Sequence, residues 1–251
     1  MKISVVTAVM NGRATLPAML ESLKVQRHPS VEHVVQDGGS SDGTLAYLAA
    51  HGHPEMLLQS SPDSGIYDAI NQGIRRASGS VVGLLHADDV LAGPHVLTWV
   101  ADALADPNID GVYGDLQYVA RDDPTRIIRQ WKAGPYLAAH LKRGWMPPHP
   151  TLYLRREVFM RSGLYDTSYR IAGDYEAMLR FLTTGHLRLG YIPQVMVRMK
   201  MGGVSNRSFA HLIRKSREDY RAIRQHRVGG VGTLVAKNLS KLPQFVGRAQ
   251  V

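Results

Sequence analysis

The stretch LLHADDVL, residues 84–91, ends an apolar run in two adjacent carboxylates. A short continuous apolar run such as residues 81–85 is typical of a strand buried inside a sheet. Asp88 and Asp89 then lie in the loop at the end of that strand. As turn residues they would cap the next helix. As metal ligands they would hold a divalent cation, which removes the repulsion that raises the pKa of one carboxyl in such a pair.

The same combination of apolar run and turn residues recurs in the first third of the chain. The predicted strands cover residues 3–9, 33–36, 56–59 and 81–85. Between them, apolar residues recur at i, i+3, i+4 and i+7, for example from Leu16 and from Ile66. This alternation predicts an α/β fold with a mostly parallel, Rossmann-like sheet and helices on both faces. Ligands bind at the carboxyl ends of such strands, where Asn11, Asp37 and the acidic pair fall.

The pattern continues beyond residue 93. It predicts a helix at 95–105, strands at 111–114, 116–119 and 151–154, and a helix from residue 173 onward. The Pro-rich elbow MPPHP, residues 146–150, leads into the last of these strands. Tyr175, Met178 and Leu182 share one face of the final helix, so Asp174 is expected in its first turn.

The bulk composition excludes several classes of protein. A chain of 251 residues with 44% hydrophobic residues is long enough for one α/β domain with a sizeable core. The absence of cysteine excludes disulfides, thiolate metal sites and cysteine nucleophiles. The opening run MKISVVTAV is too short for a signal sequence or a membrane span, so we expect a core strand there.

Two common nucleotide-binding loops are also excluded. The segment AVMNGRAT after the first predicted strand has one glycine, so the G-x-G-x-x-G motif of dinucleotide enzymes is missing. Gly38 and Gly43 have P-loop spacing, but Thr44 stands where the lysine belongs and Asp42 would repel phosphate. Asp42 is better placed as the N-cap of the following helix. The sequence therefore disfavours a dehydrogenase, a kinase or an ATPase.

The positive charge of the chain is concentrated near its C-terminal end. The net charge is +9, and residues 207–251 hold ten Lys or Arg against two acidic residues. We therefore divide the chain into a catalytic domain, 1–206, and a basic helical tail, 207–251. The tail is amphipathic, which predicts either attachment to an anionic membrane surface or packing on the protein body or a partner. It lacks the interleaved aromatic residues and the motifs of a nucleic-acid binder.

Four segments, in order, carry a family resemblance. They are TAVMN at 7–11, VQDGGSSDGT at 35–44, LLHADD at 84–89 and AGDYEAMLR at 172–180. Over roughly residues 3–207 the chain resembles glycosyltransferase family 2, the inverting enzymes of the GT-A fold that use nucleotide-activated sugars. The stretch DSGIYDAINQGI at 63–74 narrows the resemblance to the branch that builds bacterial surface polysaccharides.

The resemblance implies a function. It is the metal-dependent, inverting transfer of a sugar from a nucleotide-sugar donor to a glycan or a lipid-linked acceptor. The implied location is cytoplasmic, with peripheral attachment of the tail to the inner face of the membrane. A catalytically inactive nucleotide-sugar binding or scaffold protein of the same fold is the alternative, and it would release no nucleotide from the donor.

The resemblance places donor-binding residues at the strand ends. Asp89 is expected on a Mn²⁺ or Mg²⁺ ion, and Asp88 on the ribose or beside the metal. Asp37 is expected to accept hydrogen bonds from the base or the ribose. Thr7 and Asn11 are further expected donor contacts, and a turn role is an equal alternative for Asn11.

Two more segments are expected near the donor. Asp68, Asn71 and Arg75 share one helix face through their spacing. The resemblance places Asp68 and Asn71 on the donor sugar or diphosphate, whereas Arg75 is expected in solvent. Asp63 is expected to cap this helix. His149, restrained between two prolines, is either a contact of the donor or acceptor or a structural histidine.

The resemblance places the catalytic base at Asp174. Inversion requires the acceptor hydroxyl to lose a proton as it attacks, so a carboxylate must face the sugar. A simple N-cap is the alternative for Asp174. Gly173 precedes it where many family members have a second acid, and His86 also stands where the family often has an acid. Glu176 and Arg180, at i and i+4, are expected to form an exposed helix salt bridge.

Overall fold

The computed structural model describes residues 1–53, 55–201 and 209–239. These residues form one nine-stranded sheet, eight α-helices and two short 3-10 helices. The strands are β1 (Ile3–Val9), β2 (Val31–Asp37), β3 (Met56–Ser60), β4 (Val81–Leu84), β5 (Asp89–Leu91), β6 (Gly111–Val119), β7 (Ile127–Trp131), β8 (Tyr153–Arg155) and β9 (Leu189–Lys200). The α-helices are α1 (Leu16–Lys24), α2 (Thr44–His51), α3 (Ile66–Arg76), α4 (Val96–Ala103), α5 (Arg156–Ser162), α6 (Gly173–Thr183), α7 (Phe209–Gln225) and α8 (Val231–Leu239). The 3-10 helices are Ala138–Arg143 and His149–Thr151.

The first half of the sheet is parallel, as the alternation of strands and helices predicts. The strand order is β3-β2-β1-β4-β8-β6-β9-β5, and β7 pairs with β6. β1 pairs in parallel with β2 and β4, and β2 pairs in parallel with β3. Val9 lies opposite Asp37 in this register. The loops after β1, β2 and β4 therefore leave the sheet on the same side.

The second half of the sheet is mixed. β8 pairs antiparallel with both β4 and β6, while β9 pairs in parallel with β6 and antiparallel with β5. The predicted strands at 111–114 and 116–119 are one strand, β6, whose register with β9 shifts on both sides of Asp115. The predicted strand at 151–154 starts later, at Tyr153, because residues 149–151 form a 3-10 turn. The pattern of apolar residues did not predict β5, β7, β9 or α5.

Apolar layers cover both faces of the sheet, as predicted. One layer contains residues of α3, α6 and α7, among them Ile70, Ile74, Tyr175, Leu179, Ala222 and Ile223. The other contains residues of α1 and α4, among them Leu16, Leu20, Leu97 and Val100. Gly73 allows α3 to approach β1 closely, since a Cβ atom there would lie 2.4 Å from Cγ1 of Val6. Burial of each large apolar side chain contributes roughly 1.5–3 kcal/mol.

The two C-terminal helices pack on the body of the protein. α7 contacts α6, and α8 contacts both α7 and the 3-10 helix Ala138–Arg143. The inward faces of α7 and α8 thus belong to the protein core, while their outward faces are exposed. Within the described ranges, no helix is long and apolar enough to cross a bilayer. Residues 202–208 and 240–251, part of the predicted tail and its junction, lie outside the described residues.

Candidate active site

Asp37 closes β2 with a buried carboxylate. Its Oδ2 accepts hydrogen bonds from the N–H groups of Gly39 and Ser40, at 2.9 and 3.0 Å, and from the Ser60 hydroxyl at 2.7 Å. Burial raises the pKa of Asp37, but these hydrogen bonds outweigh burial and lower the pKa below its ordinary value. Its Oδ1 is buried without a hydrogen-bond partner among the residues described. The strand end therefore holds a charged carboxylate, one oxygen of which is buried and unpaired among the described residues.

Asn11 lies in the loop after β1, beside the loop that follows Asp37. Its φ of 53° is in the left-handed region, where Asn is tolerated. Its Oδ1 accepts from the N–H of Ser41 at 2.9 Å, and its own N–H donates to the Ser40 hydroxyl at 2.7 Å. The side chain is exposed. Asn11 is thus a turn residue at the rim of the same strand ends.

Asp42 was predicted to be the N-cap of α2, but it lies one residue before the N-cap position. Gly43 occupies the N-cap position, with a φ of 87°. The Asp42 carboxylate accepts from the Thr44 N–H and from the Arg13 N–H, both at 3.0 Å. Asp42 therefore ties the loop after β1 to the start of α2.

Asp89 is the most unusual group of the site. It is 0% exposed, and neither of its carboxylate oxygens has a hydrogen-bond partner among the described residues. Burial and the neighbouring charge of Asp88 raise the pKa of Asp89 well above its ordinary value. Its N–H donates to the His86 carbonyl at 3.0 Å, and it starts β5 rather than a helix. The capping alternative therefore does not describe Asp89.

The chemistry of the acidic pair fits an oxygen-ligated divalent cation. A buried carboxylate without a partner is costly, and a cation would compensate it. No cluster of three or more metal-ligating side chains occurs in residues 1–53, 55–201 and 209–239. With only Asp89 and Asp88 side by side, an ion bound here would need further oxygen ligands from a substrate or water.

His86 and His149 form a bridge to Asp174. The Nε2 atoms of the two rings lie 3.0 Å apart, and Nδ1 of His149 lies 3.2 Å from Oδ2 of Asp174. Burial lowers the pKa of His86 to about 4 and lowers that of His149, so both rings are neutral at pH 7. Thr151 holds the turn that carries His149, since its hydroxyl lies 3.0 Å from the Gly114 carbonyl on β6. The bridge thus joins the acidic loop after β4 to the start of α6.

Asp174 lies in the first turn of α6 with a side chain that is 23% exposed. Burial raises its pKa, but the neighbouring His149, the charge of Lys237 and the Tyr175 N–H outweigh burial and lower the pKa. The Tyr67 hydroxyl donates to the Ile171 carbonyl at 2.7 Å and lies 3.4 Å from Oδ1 of Asp174. Asp174 is therefore a partly exposed carboxylate that stays charged at neutral pH.

Two expected donor contacts have internal partners. The Thr7 hydroxyl donates to the Leu85 carbonyl at 2.8 Å and lies 3.1 Å from Nε2 of His33. The Asn71 amide donates to the Tyr165 carbonyl at 2.8 Å and accepts from the Tyr165 N–H at 2.9 Å. Both side chains are buried with their polar atoms in use. We assign them to holding β1 on β4 and α3 on the segment before α6, and we do not retain them as donor contacts.

The start of α3 is closed by two carboxylates. Asp63 accepts from the Gly65 N–H at 2.9 Å, which agrees with its expected capping role. Asp68 accepts from the Ser64 N–H at 3.0 Å and is half-buried. Arg75 is exposed, as expected. Asp68 therefore has a structural partner and also remains accessible from solvent.

Glu176 differs from its prediction. The expected pair with Arg180 is present, with Nε of Arg180 3.1 Å from Oε1, but Glu176 is only 1% exposed. Nε2 of His226 lies 2.9 Å from the same oxygen. The prediction of an exposed helix pair is therefore wrong, because α7 covers this face of α6.

Three residues of the tail support α6 and were missing from the predicted site. Glu218 accepts from the N–H groups of Ile171 and Ala172, at 2.8 and 2.9 Å, immediately before α6 begins. Lys237 donates to Asp219 at 2.5 Å and lies 3.2 Å from the centroid of the Tyr175 ring. His226 is the third. One signal was available in the sequence: Glu218 and Asp219 are the two acidic residues of an otherwise basic segment.

Comparison with known proteins extends this description. The family "Glycosyl transferase family 2" matches residues 4–167, which include the acidic pair and end before Asp174. An uncharacterized glycosyltransferase of Mycobacterium tuberculosis is 33% identical over 180 residues, which cover 71% of this chain and 68% of that protein. A PGL/p-HBAD biosynthesis glycosyltransferase of Mycobacterium bovis is 30% identical over 208 residues, which cover 81% of this chain and 78% of that protein.

Solved structures share the fold. S. aureus TarS 1-349 in complex with UDP-GlcNAc has a TM-score of 0.70 at 16% identity, over 91% of this chain and 66% of that one. The mannosyltransferase PcManGT from Pyrobaculum calidifontis, in complex with GDP-Man and Mn²⁺, has a TM-score of 0.67 at 22% identity, over 98% of this chain and 73% of that one. At these identities the likeness shows the fold. Together with the family match, it shows that the chain belongs to glycosyltransferase family 2 and is a glycosyltransferase of the GT-A fold.

Proposed function

We propose that the chain transfers a sugar, with inversion at the anomeric carbon, from a nucleotide-sugar donor to a hydroxyl of a glycan or lipid-linked acceptor. One observation carries this proposal. The buried carboxylate of Asp89, which has no hydrogen-bond partner among the described residues, and the charged carboxylate of Asp174 are joined through the bridge of His86 and His149. The first suits a metal ion that binds a diphosphate, and the second suits a general base.

The donor is proposed to bind at the carboxyl ends of the parallel strands. Asp37, a charged carboxylate at the end of β2, would accept hydrogen bonds from the base or the ribose. Asn11 and Asp88 would complete the contacts with the nucleoside, and Asp68 would face the sugar or the diphosphate. TarS and PcManGT hold UDP-GlcNAc and GDP-Man in their structures, so nucleotide sugars are the class of donor to test.

Asp89 would hold Mn²⁺ or Mg²⁺, with Asp88 as a second ligand or beside the ion. When bound, the ion would offset the negative charge that develops on the leaving diphosphate. The protein keeps the Asp89 carboxylate buried and free of competing donors among the described residues. PcManGT was solved with Mn²⁺, which makes this ion the first to test.

Asp174 would take the proton of the attacking acceptor hydroxyl. Its low pKa keeps it deprotonated, and its partial exposure leaves room for an acceptor. His149 occupies Oδ2, so the proton would go to Oδ1. The attack must come from the face opposite the leaving diphosphate, which places the acceptor between Asp174 and the donor sugar.

The outward face of the tail is proposed to attach to an anionic membrane surface. Arg214, Arg217 and Arg224 are exposed there. Between α7 and α8 lies an open, mostly apolar groove of about 600 Å³, lined by Leu212, Ile213, Ser216, Arg217, Tyr220, Val231 and Leu234. Guanidinium groups beside apolar side chains match anionic headgroups above acyl chains. A cytoplasmic enzyme attached in this way would be close to a lipid-linked acceptor.

Asp174→Asn tests the proposed chemistry, because Asn keeps the size of the side chain but cannot take the proton. We expect the transfer rate to fall by about a hundredfold to ten-thousandfold, with unchanged donor affinity in Mn²⁺. Asp122→Asn, on a side chain that is 78% exposed, is the matched control. An Asp174→Asn enzyme with the wild-type rate would overturn the assignment of the base. A wild-type protein that binds donor but releases no nucleotide would support the inactive scaffold instead.

Binding to vesicles tests the membrane proposal. The double variant Arg214→Ser, Arg217→Ser should bind vesicles of anionic phospholipid more weakly than the wild type, while its donor affinity stays the same. Arg121→Ser, Arg143→Ser removes the same charge from other exposed positions and should bind as the wild type does. Equal losses in the two double variants would indicate a non-specific effect of net charge.

A further inference from the structure

We propose that His149, held by His86, is a positioning residue that orients the carboxylate of Asp174 toward the acceptor hydroxyl. This inference rests on the proposed role of Asp174 as the base. It assigns His149 a different role from the donor contact that the sequence suggested.

The contacts of His149 leave it no free ring nitrogen. Nδ1 lies 3.2 Å from Oδ2 of Asp174, and Nε2 lies 3.0 Å from Nε2 of His86. A ring with both nitrogens engaged inside the protein cannot also make a ring hydrogen bond to a donor or an acceptor. His149 therefore acts on the substrate through Asp174.

The hydrogen positions follow from these contacts. The Asp174 carboxylate can only accept, so Nδ1 of His149 must carry the hydrogen. A neutral ring then has a lone pair on Nε2, which can accept only if Nε2 of His86 carries a hydrogen. His86 thus selects the tautomer of His149 that donates to Asp174. In hydrolytic triads a carboxylate orients a catalytic histidine, whereas here a histidine orients the proposed catalytic carboxylate.

The structure around the bridge restricts its motion. His149 lies between Pro148 and Pro150 in a 3-10 turn, and Thr151 ties that turn to β6. The His86 and His149 rings meet edge to face, with centroids 5.3 Å apart. A carboxylate held at Oδ2 by such a rigid donor has its other oxygen, Oδ1, directed away from the bridge.

The bridge also links the two halves of the proposed reaction. His86 belongs to the same turn as Asp89, whose N–H donates to the His86 carbonyl. Asp174, the proposed base, lies in the first turn of α6. Positioning of reacting groups matters at this scale, since a displacement of about 1 Å can cost about a hundredfold in rate. The bridge would hold the base at a fixed distance from the acidic loop.

Three substitutions of His149 separate its two contacts. Asn places an amide N–H near the position of Nδ1, so His149→Asn retains the donor to Asp174 and loses the contact with His86. Gln reaches toward the position of Nε2, so His149→Gln retains only the contact with His86. His149→Ala loses both. His51→Gln, on an exposed side chain at the far end of α2, is the control.

We expect kcat to fall by about tenfold to a hundredfold in His149→Gln and His149→Ala. His149→Asn should recover most of the wild-type kcat, and donor affinity in Mn²⁺ should stay the same in all three. A purely structural role predicts a different result, in which all three variants lose thermal stability and donor affinity together. That result, or a wild-type kcat in His149→Ala, would overturn the inference.

Asp174→Asn, measured in the same assay, distinguishes this inference from the proposed function. If Asp174→Asn transfers sugar at the wild-type rate, Asp174 is not the base and both proposals fail. If Asp174→Asn is inactive while His149→Ala matches His51→Gln, the base assignment stands and the positioning role of His149 alone fails. Loss of kcat in both Asp174→Asn and His149→Gln, with recovery in His149→Asn, supports both.

Discussion

Nε2 of His226, in the turn that follows α7, lies 2.9 Å from Oε1 of Glu176, on the buried face of α6. Glu218, two turns earlier on α7, accepts hydrogen bonds from the backbone just before α6 begins. α6, which carries Asp174, is therefore held on one side by α7 and the turn that follows it. From its composition alone, this segment was predicted to be part of a basic tail. The match to the family ends at residue 167, so this support lies outside the matched region.

Glu176→Gln should destabilise the fold strongly, because it leaves Arg180 and His226 without their shared carboxylate in a buried position. Removing one partner of a buried ion pair costs roughly 3–5 kcal/mol, and we expect the lower end of that range because Gln can still accept a hydrogen bond. The measurement is urea unfolding at pH 7. Asp122→Asn breaks an exposed i, i+4 pair with Arg126 and is the matched control. Equal unfolding midpoints in the two variants would contradict the buried pair.

Glu218→Gln should affect turnover more than donor binding. The carboxylate accepts from three consecutive N–H groups ahead of α6, those of Arg170, Ile171 and Ala172. Loss of its charge should destabilise the fold by about 1–2 kcal/mol. The displaced start of α6 should lower the transfer rate, whereas the strand ends that bind the donor are unaffected. Transfer rate and donor affinity, measured together, check this. Glu157→Gln, exposed on α5, should change neither. Loss of donor affinity without loss of rate would refute this function of Glu218.

The sequence alone predicts those features of the fold and the site that depend on the local pattern of residues. The alternation of apolar runs and helical spacing predicts β1 to β4 as parallel strands, and it places Asn11, Asp37 and Asp88 at one edge of the sheet. The order of the strands in the sheet was not predicted. Glu176 and Arg180 are four residues apart, so their pair was also predictable.

The remaining features depend on contacts between distant parts of the chain. The burial of Glu176 comes from His226, 50 residues later, and the contact of His149 with His86 spans 63 residues. Helix spacing places Asp68 and Asn71 on one face, but the partner of Asn71 is Tyr165, 94 residues away. A pattern in one sequence carries no information on such pairs.

Asp89→Asn should raise the stability of the metal-free protein. The wild-type side chain is a buried carboxylate without a hydrogen-bond partner in the described structure, whereas a neutral amide is less costly to bury. The same change should weaken binding of a nucleoside diphosphate in Mn²⁺, because it removes the charged ligand. Thermal unfolding without metal and calorimetric binding with metal check the two effects. A lower midpoint without metal would show that the burial of Asp89 is compensated in another way.

The lowered pKa of Glu32 should make the stability of the fold depend on pH. Burial would raise its pKa, but hydrogen bonds from Ser4, Ser78 and Lys2 lower the pKa to about 2, from an ordinary value of 4.5. Because the folded pKa is the lower one, the stabilising contribution is complete above pH 4.5 and is lost as the pH falls toward 2. Its size at pH 7 is on the order of 3 kcal/mol. The difference in unfolding free energy between wild type and Glu32→Gln should shrink below pH 4.5. A constant difference from pH 7 to pH 3 would contradict this.

Gly173→Ala tests the packing beside the proposed base. A Cβ atom at position 173 would lie 2.7 Å from Cε2 of the Tyr67 ring. That ring stacks on Tyr165, with centroids 5.8 Å apart, and its hydroxyl bonds to the Ile171 carbonyl, so it cannot move without losing both contacts. Overpacking of this kind costs about 1–3 kcal/mol. It should also shift Asp174, the next residue, and lower the transfer rate.

Two further variants decide whether the clash is the cause of this effect. Gly93→Ala is the control, because a Cβ atom there would meet no atom within 4 Å. In the double variant Gly173→Ala, Tyr67→Leu, the smaller side chain leaves space for the new methyl group. Its loss of stability should therefore be smaller than the sum of the losses in the two single variants. Additive losses would show that Gly173 and Tyr67 act independently, and the glycine before the base would then need another explanation.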